Sequence, residues 1–127
     1  MEINDVLKEW EETEQKILKH LGPPDSVHLS ELTQRSGLEV FEAIFSGELP
    51  SPPIGETLDY IPVRMEYGIA VFQGRPQRKH YNPLGTVHGG WFCTLLDSAV
   101  ACAIHTTLPA GKAYTTLELK VNMVRAL

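Results

Sequence analysis

The chain has 127 residues, 43% of them hydrophobic, which suits one domain with a packed core. Its net charge of −5 argues against nucleic acid as a partner, because neutralising phosphates requires clustered lysine and arginine. No window approaches the ~20 uninterrupted apolar residues of a membrane span, and the acidic N-terminus lacks the order of a signal peptide, so we expect a cytoplasmic protein without a membrane partner.

The cysteines and histidines do not form a metal-binding pattern. Cys93 and Cys102 share one apolar stretch without the spacing of a zinc site, and the histidines are scattered along the chain. We therefore expect both cysteines in the core and no metal ion in the protein.

The N-terminal third is predicted to be helical. Residues 5–21 carry apolar side chains near helical spacing among charged ones, and Gly22-Pro23-Pro24 is a typical helix stop. Ser30 precedes a second helical stretch over residues 32–45. A rigid connector is expected after that stretch, formed by Pro50, Pro52 and Pro53.

A hairpin, a long helix and a final strand are predicted in the remaining sequence. Residues 58–63 and 69–72 form the hairpin around a turn near residues 66–68, and Pro62 is expected at an edge or a bulge because it cannot donate to a sheet ladder. An apolar helix follows from about His88 to His105. The final segment alternates apolar and polar residues, which indicates a strand: Leu117, Leu119, Val121 and Met123 alternate with Thr116, Glu118, Lys120 and Asn122.

His88-Gly89-Gly90 stands where a glycine-containing loop enters the apolar helix. The first N–H groups of a helix lack partners within it, and the helix dipole places partial positive charge there. Because glycine permits close approach, such a site can hold a carbonyl oxygen as it becomes an oxyanion. Two glycines at a helix start also serve tight packing or chain turning alone, so both interpretations stay open at this point.

Asp97 interrupts the nearly uncharged helix. A carboxylate among apolar neighbours either lies at an exposed edge or has a task, such as deprotonating a water molecule. Gly90 and Asp97 lie on nearly the same face but ~10 Å apart along the axis, so they cannot act on one bond within one chain. An isologous dimer with antiparallel helices would bring Asp97 of one chain near Gly89 of the other.

Polar residues upstream of the helix offer further contacts. Asn82 precedes a proline and is either a turn former or an amide donor to substrate or water. His88 either caps the helix or organises the site. Arg78 and Lys79 form, with Arg75, a basic cluster that a small anionic ligand could use.

Taken together, these features resemble the hotdog-fold acyl-CoA thioesterases of the phenylacetic-acid-degradation type. The resemblance runs from about Gly37 to the end of the chain and rests on Asn82, Gly85, His88-Gly89-Gly90, Asp97 and the strand that begins at Tyr114. It implies an α+β hotdog fold, in which an antiparallel sheet wraps around a central helix. Residues 37–127 would form this domain, and residues 1–36 would form a helical leader outside the resemblance.

The resemblance also implies the chemistry. Such proteins hydrolyse acyl-CoA thioesters without a metal or organic cofactor, as homodimers or as tetramers of two dimers. Gly89 would polarise the thioester carbonyl, and the partner's Asp97 would act as general base or nucleophile. A Ser or Thr on the strand after the helix is matched by Thr116 or Thr115. Supporting and substrate-binding roles fall to Asn82, His88, Gly90, Trp91, Arg78 and Lys79.

The C-terminal end departs from the resemblance. The chain stops soon after the strand that begins at Tyr114, whereas such proteins continue through two more strands in the middle of the sheet. A central gap with unpaired ladder groups is then expected, unless another chain supplies the pairing. The alternative function is therefore an acyl-CoA-binding module without catalysis.

Overall fold

The computed structural model describes residues 2–126, which form a helical N-terminal third, an antiparallel hairpin and a long helix. The elements in chain order are α1 (Ile3–Leu18), β1 (Gly22–Pro24), α2 (Leu29–Leu32), α3 (Gly37–Ser46), β2 (Pro50–Ser51), α4 (Pro53–Leu58), β3 (Tyr60–Glu66), β4 (Ile69–Gly74), a 3₁₀ turn (Arg78–His80) and α5 (Gly89–His105). This is the predicted α+β class, consistent with a hotdog-like arrangement. None of the helices within residues 2–126 has the length and apolar character needed to cross a membrane.

α3 starts at a complete capping box. Ser36 Oγ accepts from the Glu39 N–H, and the Glu39 carboxylate accepts from the Ser36 N–H at 2.7 Å, which satisfies two otherwise unpaired donors. The predicted single helix over residues 32–45, preceded by Ser30, is wrong, since α2 (Leu29–Leu32) already contains Ser30 and α3 starts separately at Gly37. Ser30 has Thr33 rather than an acidic residue three positions on, so the reciprocal bond is not available there.

The core lies on one side of α3 and reaches the C-terminal end of α5. The buried members of this core cluster are Val40, Phe41, Ala43, Ile44 and Leu49. Gly37 donates its N–H to the Leu108 carbonyl at 2.9 Å, and a Cβ on Gly37 would lie 1.7 Å from the His105 carbonyl oxygen. Only glycine therefore permits α3 to approach α5 so closely.

The two proline-rich segments pair with each other, which the sequence did not predict. β1 and β2 are parallel, and Ser51 Oγ donates to the Gly22 carbonyl at 3.0 Å. α1 ends at Leu18, three residues before the predicted end, since Gly22 belongs to this pairing. The predicted strand start at residue 58 is also wrong, because Pro53 opens α4 at the first helical position and Asp59, with φ of 52°, closes it.

The hairpin is confirmed. β3 and β4 are antiparallel around a turn at residues 67–68, and the pairing shifts between Pro62 and Arg64, so Pro62 lies at the expected bulge. α5 packs against this hairpin, and its predicted span is also confirmed. A Cβ on Gly74 would lie 2.9 Å from the Trp91 ring, which shows how closely the end of β4 approaches the helix.

The final segment, residues 112–124, is not a strand within the described chain, so that prediction is wrong. A strand needs a neighbouring ladder, and residues 2–126 place none beside this segment. Leu117 and Val124 are 94% and 92% exposed. The segment nevertheless runs antiparallel to α5. The Tyr114 ring lies beside the His105 ring near the end of the helix, and Thr116 is hydrogen-bonded to Asp97 near its middle. Met123 lies near Gly89 at the helix start, where an added Cβ would be 3.5 Å from its terminal methyl group.

Candidate active site

A cavity of about 830 Å³ lies between α5, the hairpin and the leader. Residues 112–116 line another side of it. α5 contributes residues that recur at helical spacing, namely Asp97, Ser98, Ala101, Cys102 and His105. A concave, largely apolar space with a few polar groups is the usual form of a small-molecule site.

Asp97 is held by the segment that follows the helix. Thr116 Oγ1 donates to Asp97 Oδ1 at 2.9 Å, and both residues line the cavity together with Thr115. Asp97 Oδ2 accepts no hydrogen bond from residues 2–126. One carboxylate oxygen is therefore fixed while the other can accept from a water molecule.

Hydroxyl and thiol groups surround this carboxylate. The Tyr60 and Ser98 hydroxyls are hydrogen-bonded at 2.8 Å. Burial, with a smaller contribution from the Asp97 charge, raises the pKa of Cys102 to about 11. Burial, assisted by Cys102 and Asp97, raises the pKa of Tyr114 to about 12. The thiol thus stays protonated at neutral pH, which argues against Cys102 as a nucleophile.

His105 is a second basic group on the cavity wall. Its ring lies between Phe41 and Tyr114, with centroid distances of 5.5 and 5.4 Å. Burial lowers the pKa of His105, so its imidazole is neutral at pH 7 and can accept a proton.

The start of α5 leaves the Gly89 N–H without a partner among residues 2–126. His88 is the N-cap, and its Nδ1 accepts from the Gly90 N–H at 2.9 Å. The Gly89 N–H donates to no atom of residues 2–126. The Gly89 N–H can therefore donate to an oxygen at this helix end, whereas the Gly90 N–H is already used.

Asn82 shapes the loop before α5. Its Oδ1 accepts from the N–H groups of Leu84 and Thr86 at 2.9 and 3.2 Å, and its Nδ2 donates to Thr86 Oγ1 at 2.8 Å. These bonds are those of a turn former. The side chain thus acts on the helix start through the loop conformation.

Two of the three remaining predicted substrate contacts, Trp91 and Lys79, are used within the protein. Trp91 is 6% exposed and donates Nε1–H to the Leu58 carbonyl at 2.8 Å, which favours a packing role. Lys79 pairs with Asp59 at 3.0 Å, so the basic cluster is partly neutralised. Arg78 is exposed and forms no ion pair with residues 2–126.

Most of the predicted site residues fall into two groups, one near the middle of α5 and one at its start. Thr115, Thr116 and Asp97 meet at the cavity, while Asn82, His88, Gly89 and Gly90 lie at the helix start. Gly89 and Asp97 are eight positions apart in α5, which corresponds to ~12 Å along the helix axis.

Sequence reasoning missed several residues that line the cavity: Tyr60, Ser98, Cys102, His105 and Tyr114. The helical spacing of Ser98, Cys102 and His105 beside Asp97 is a signal that could have found three of them. Tyr60 depends on how the hairpin meets the helix, which local sequence does not encode.

Comparison with known families points to the same region. Residues 84–127, roughly a third of the chain, match the family model described as the thioesterase superfamily. The match spans the helix start, Asp97 and Thr116, and it begins well after Gly37. Searches of curated proteins and of solved structures gave no match. This similarity supports a relationship of residues 84–127 to the thioesterase superfamily, and it suggests thioester hydrolysis as the general class of reaction.

Proposed function

We propose that this protein is an acyl-CoA thioesterase of the phenylacetic-acid-degradation type, in which Asp97 activates the hydrolytic water. The observation that carries the proposal is the Thr116–Asp97 hydrogen bond of 2.9 Å on the wall of the cavity, inside the segment similar to thioesterases. A positioned carboxylate with one open oxygen is suited to general-base catalysis.

In the proposed reaction, Asp97 Oδ2 takes a proton from water as the water oxygen attacks the thioester carbonyl carbon. The Gly89 N–H stabilises the oxyanion, and His88 supports this helix start by accepting from the Gly90 N–H. The tetrahedral intermediate then collapses, the C–S bond breaks, and the thiolate of coenzyme A receives the proton from Asp97. The products are a carboxylic acid and coenzyme A, and no metal or organic cofactor takes part.

The two half-sites belong to different chains in this proposal. Gly89 and Asp97 are ~12 Å apart along one helix, too far to act on one thioester. α5 has an exposed apolar row, Leu96, Val100 and Ile104, which are 41%, 50% and 54% exposed and spaced by one helical turn. Leu96 of this row would contact a second copy packed antiparallel with the two-fold axis near Cys93, midway between Gly89 and Asp97. That arrangement would place the partner's Asp97 opposite Gly89. A homodimer, or a tetramer of two dimers, is the proposed assembly.

The direct test is hydrolysis of a panel of acyl-CoA thioesters, followed by the release of free thiol. The proposal expects saturable release that depends on enzyme concentration. Calorimetry with a non-hydrolysable acyl-CoA analogue separates the alternative: tight binding without thiol release would identify a binding module and overturn the enzyme.

A further inference from the structure

The leader forms one side of the cavity. It contributes an apolar set of side chains to the lining, including Leu18, Leu21, Leu29 and Leu32. Leu18 is 45% exposed, and α1 has no buried residue, so this side chain faces the cavity without being part of the core. The leader lies outside the segment similar to thioesterases but borders the same cavity as Asp97.

Polar contacts hold α1 against the hairpin end. The Arg75 guanidinium donates to Glu14 Oε2 at 2.8 and 2.6 Å, and Glu11 lies 3.6 Å from the same guanidinium. Gln73 Nε2 donates to the Trp10 carbonyl at 3.1 Å. The Glu14 side chain is 17% exposed and the Arg75 side chain 48% exposed, so water is partly excluded from the carboxylate side of this pair. Arg75 and Glu14 thus fix the position of the helix that carries Leu18.

We propose that α1 is a specificity element that limits the length of the acyl chain, with Leu18 closing the cavity and the Arg75–Glu14 pair holding the helix in place. This inference rests on the proposed thioesterase function. Its physical basis is that each acyl methylene buried against an apolar wall increases the binding affinity by about fourfold. A bulkier side chain in this wall shortens the cavity and excludes the terminal carbon atoms of a long acyl chain.

The test compares Leu18→Trp with Leu7→Trp. Both leucines lie on α1 with similar exposure, 45% and 49%, but only Leu18 lines the cavity. The specificity constant kcat/KM is measured by thiol release over acyl-CoA thioesters of increasing chain length. In Leu18→Trp we expect kcat/KM for the longest accepted chains to fall about tenfold or more, the equivalent of two covered methylenes, while short chains change little. Leu7→Trp should keep the wild-type profile.

A second variant tests the ion pair. Arg75→Gln removes the ion pair that holds Glu14 of α1 to the end of the hairpin, and we expect a flatter dependence of kcat/KM on chain length. The matched control is Arg64→Gln, which breaks the exposed Arg64–Glu66 pair of the hairpin without touching the leader. Far-ultraviolet circular dichroism establishes that each variant is folded.

The outcomes separate the two proposals. A wild-type chain-length profile in both Leu18→Trp and Arg75→Gln would overturn the role of α1 while leaving the thioesterase intact. Wild-type protein that releases no thiol would overturn the proposed function. Dissociation constants for a series of non-hydrolysable acyl-CoA analogues, measured with the same variants, would then still test α1. Equal constants in Leu18→Trp and wild type would contradict its role.

Discussion

At the scale of single residues, the contact between Thr116 and Asp97 is the feature on which the chemistry depends. A hydrogen bond to a charged group contributes about 1.5–3 kcal/mol, so its loss is expected to misorient the carboxylate. Thr116→Val keeps the shape and removes the donor. We predict a fall in kcat of roughly tenfold to a hundredfold with little change in KM, measured by thiol release.

Thr115→Val is the matched control, because Thr115 also lines the cavity but donates to no group on Asp97. It should retain a kcat close to that of the wild type. Equal losses in the two variants would show that the hydroxyl of Thr116 has no special relation to Asp97.

His105 gives stability a dependence on pH. Burial lowers the pKa of His105 in the folded protein, so the unfolded chain binds a proton more readily. The stabilisation from the neutral ring is therefore present above the usual histidine pKa of about 6.5 and is lost as the pH falls through the folded pKa. His105→Phe keeps an aromatic ring between Phe41 and Tyr114 and removes the titration.

We predict that the decrease in Tm between pH 7 and pH 5 is smaller in His105→Phe than in the wild type, as measured by differential scanning calorimetry. His28→Phe changes an exposed histidine and should preserve the wild-type decrease. A decrease in His105→Phe that matches the wild type would mean that other groups account for the acid sensitivity.

At the scale of elements, the approach of α3 to α5 should be sensitive to a single methyl group. A Cβ on Gly37 would lie 1.7 Å from the His105 carbonyl oxygen, and backbone cannot rotate aside as a side chain can. We predict that Gly37→Ala lowers the free energy of unfolding by about 2–3 kcal/mol, measured by urea titration.

Gly22→Ala is the control for this substitution. Its added Cβ would meet backbone atoms at 3.6 Å or more, an ordinary contact distance. Gly37→Ala should therefore unfold at a clearly lower urea concentration than Gly22→Ala. Similar midpoints would mean that α3 and α5 can separate at little cost.

The same elements show what the sequence could predict. α5 and the hairpin follow from local periodicity and from a turn at Gly68, so both were predicted closely. The pairing of Gly22–Pro24 with Pro50–Ser51 joins segments far apart in the chain, and no local pattern encodes it. Residues 112–124 have the alternation of a strand, but a strand also requires a neighbour, which the described chain does not place there.

The candidate site divides in the same way. Asp97 and the glycines at the helix start could be proposed as site residues because a charge in an apolar helix and a glycine pair are visible in the sequence. The choice of Thr116 as the residue that contacts Asp97 needed the path of the final segment. The hydroxyl pair of Tyr60 and Ser98 needed the packing of the hairpin on α5.

At the scale of the whole molecule, the cavity is lined partly by residues inside the segment similar to thioesterases and partly by residues outside it. α5 and the final segment carry the similarity to thioesterases, whereas the leader adds a wall that this similarity does not cover. Catalysis as proposed also requires a second copy, because Gly89 and Asp97 of one chain cannot reach the same thioester. Assembly and activity are therefore expected to rise and fall together as protein concentration is varied.

Subunit mixing tests this account most directly. Asp97→Asn and Gly89→Val each remove one half-site and should each abolish nearly all thiol release from acyl-CoA. Unfolded together in equal amounts and refolded, they should recover about a quarter of wild-type activity, since half of the dimers are mixed and each of those has one intact site. Wild-type turnover in Asp97→Asn alone, or a mixture no more active than its parents, would contradict a site shared between two chains.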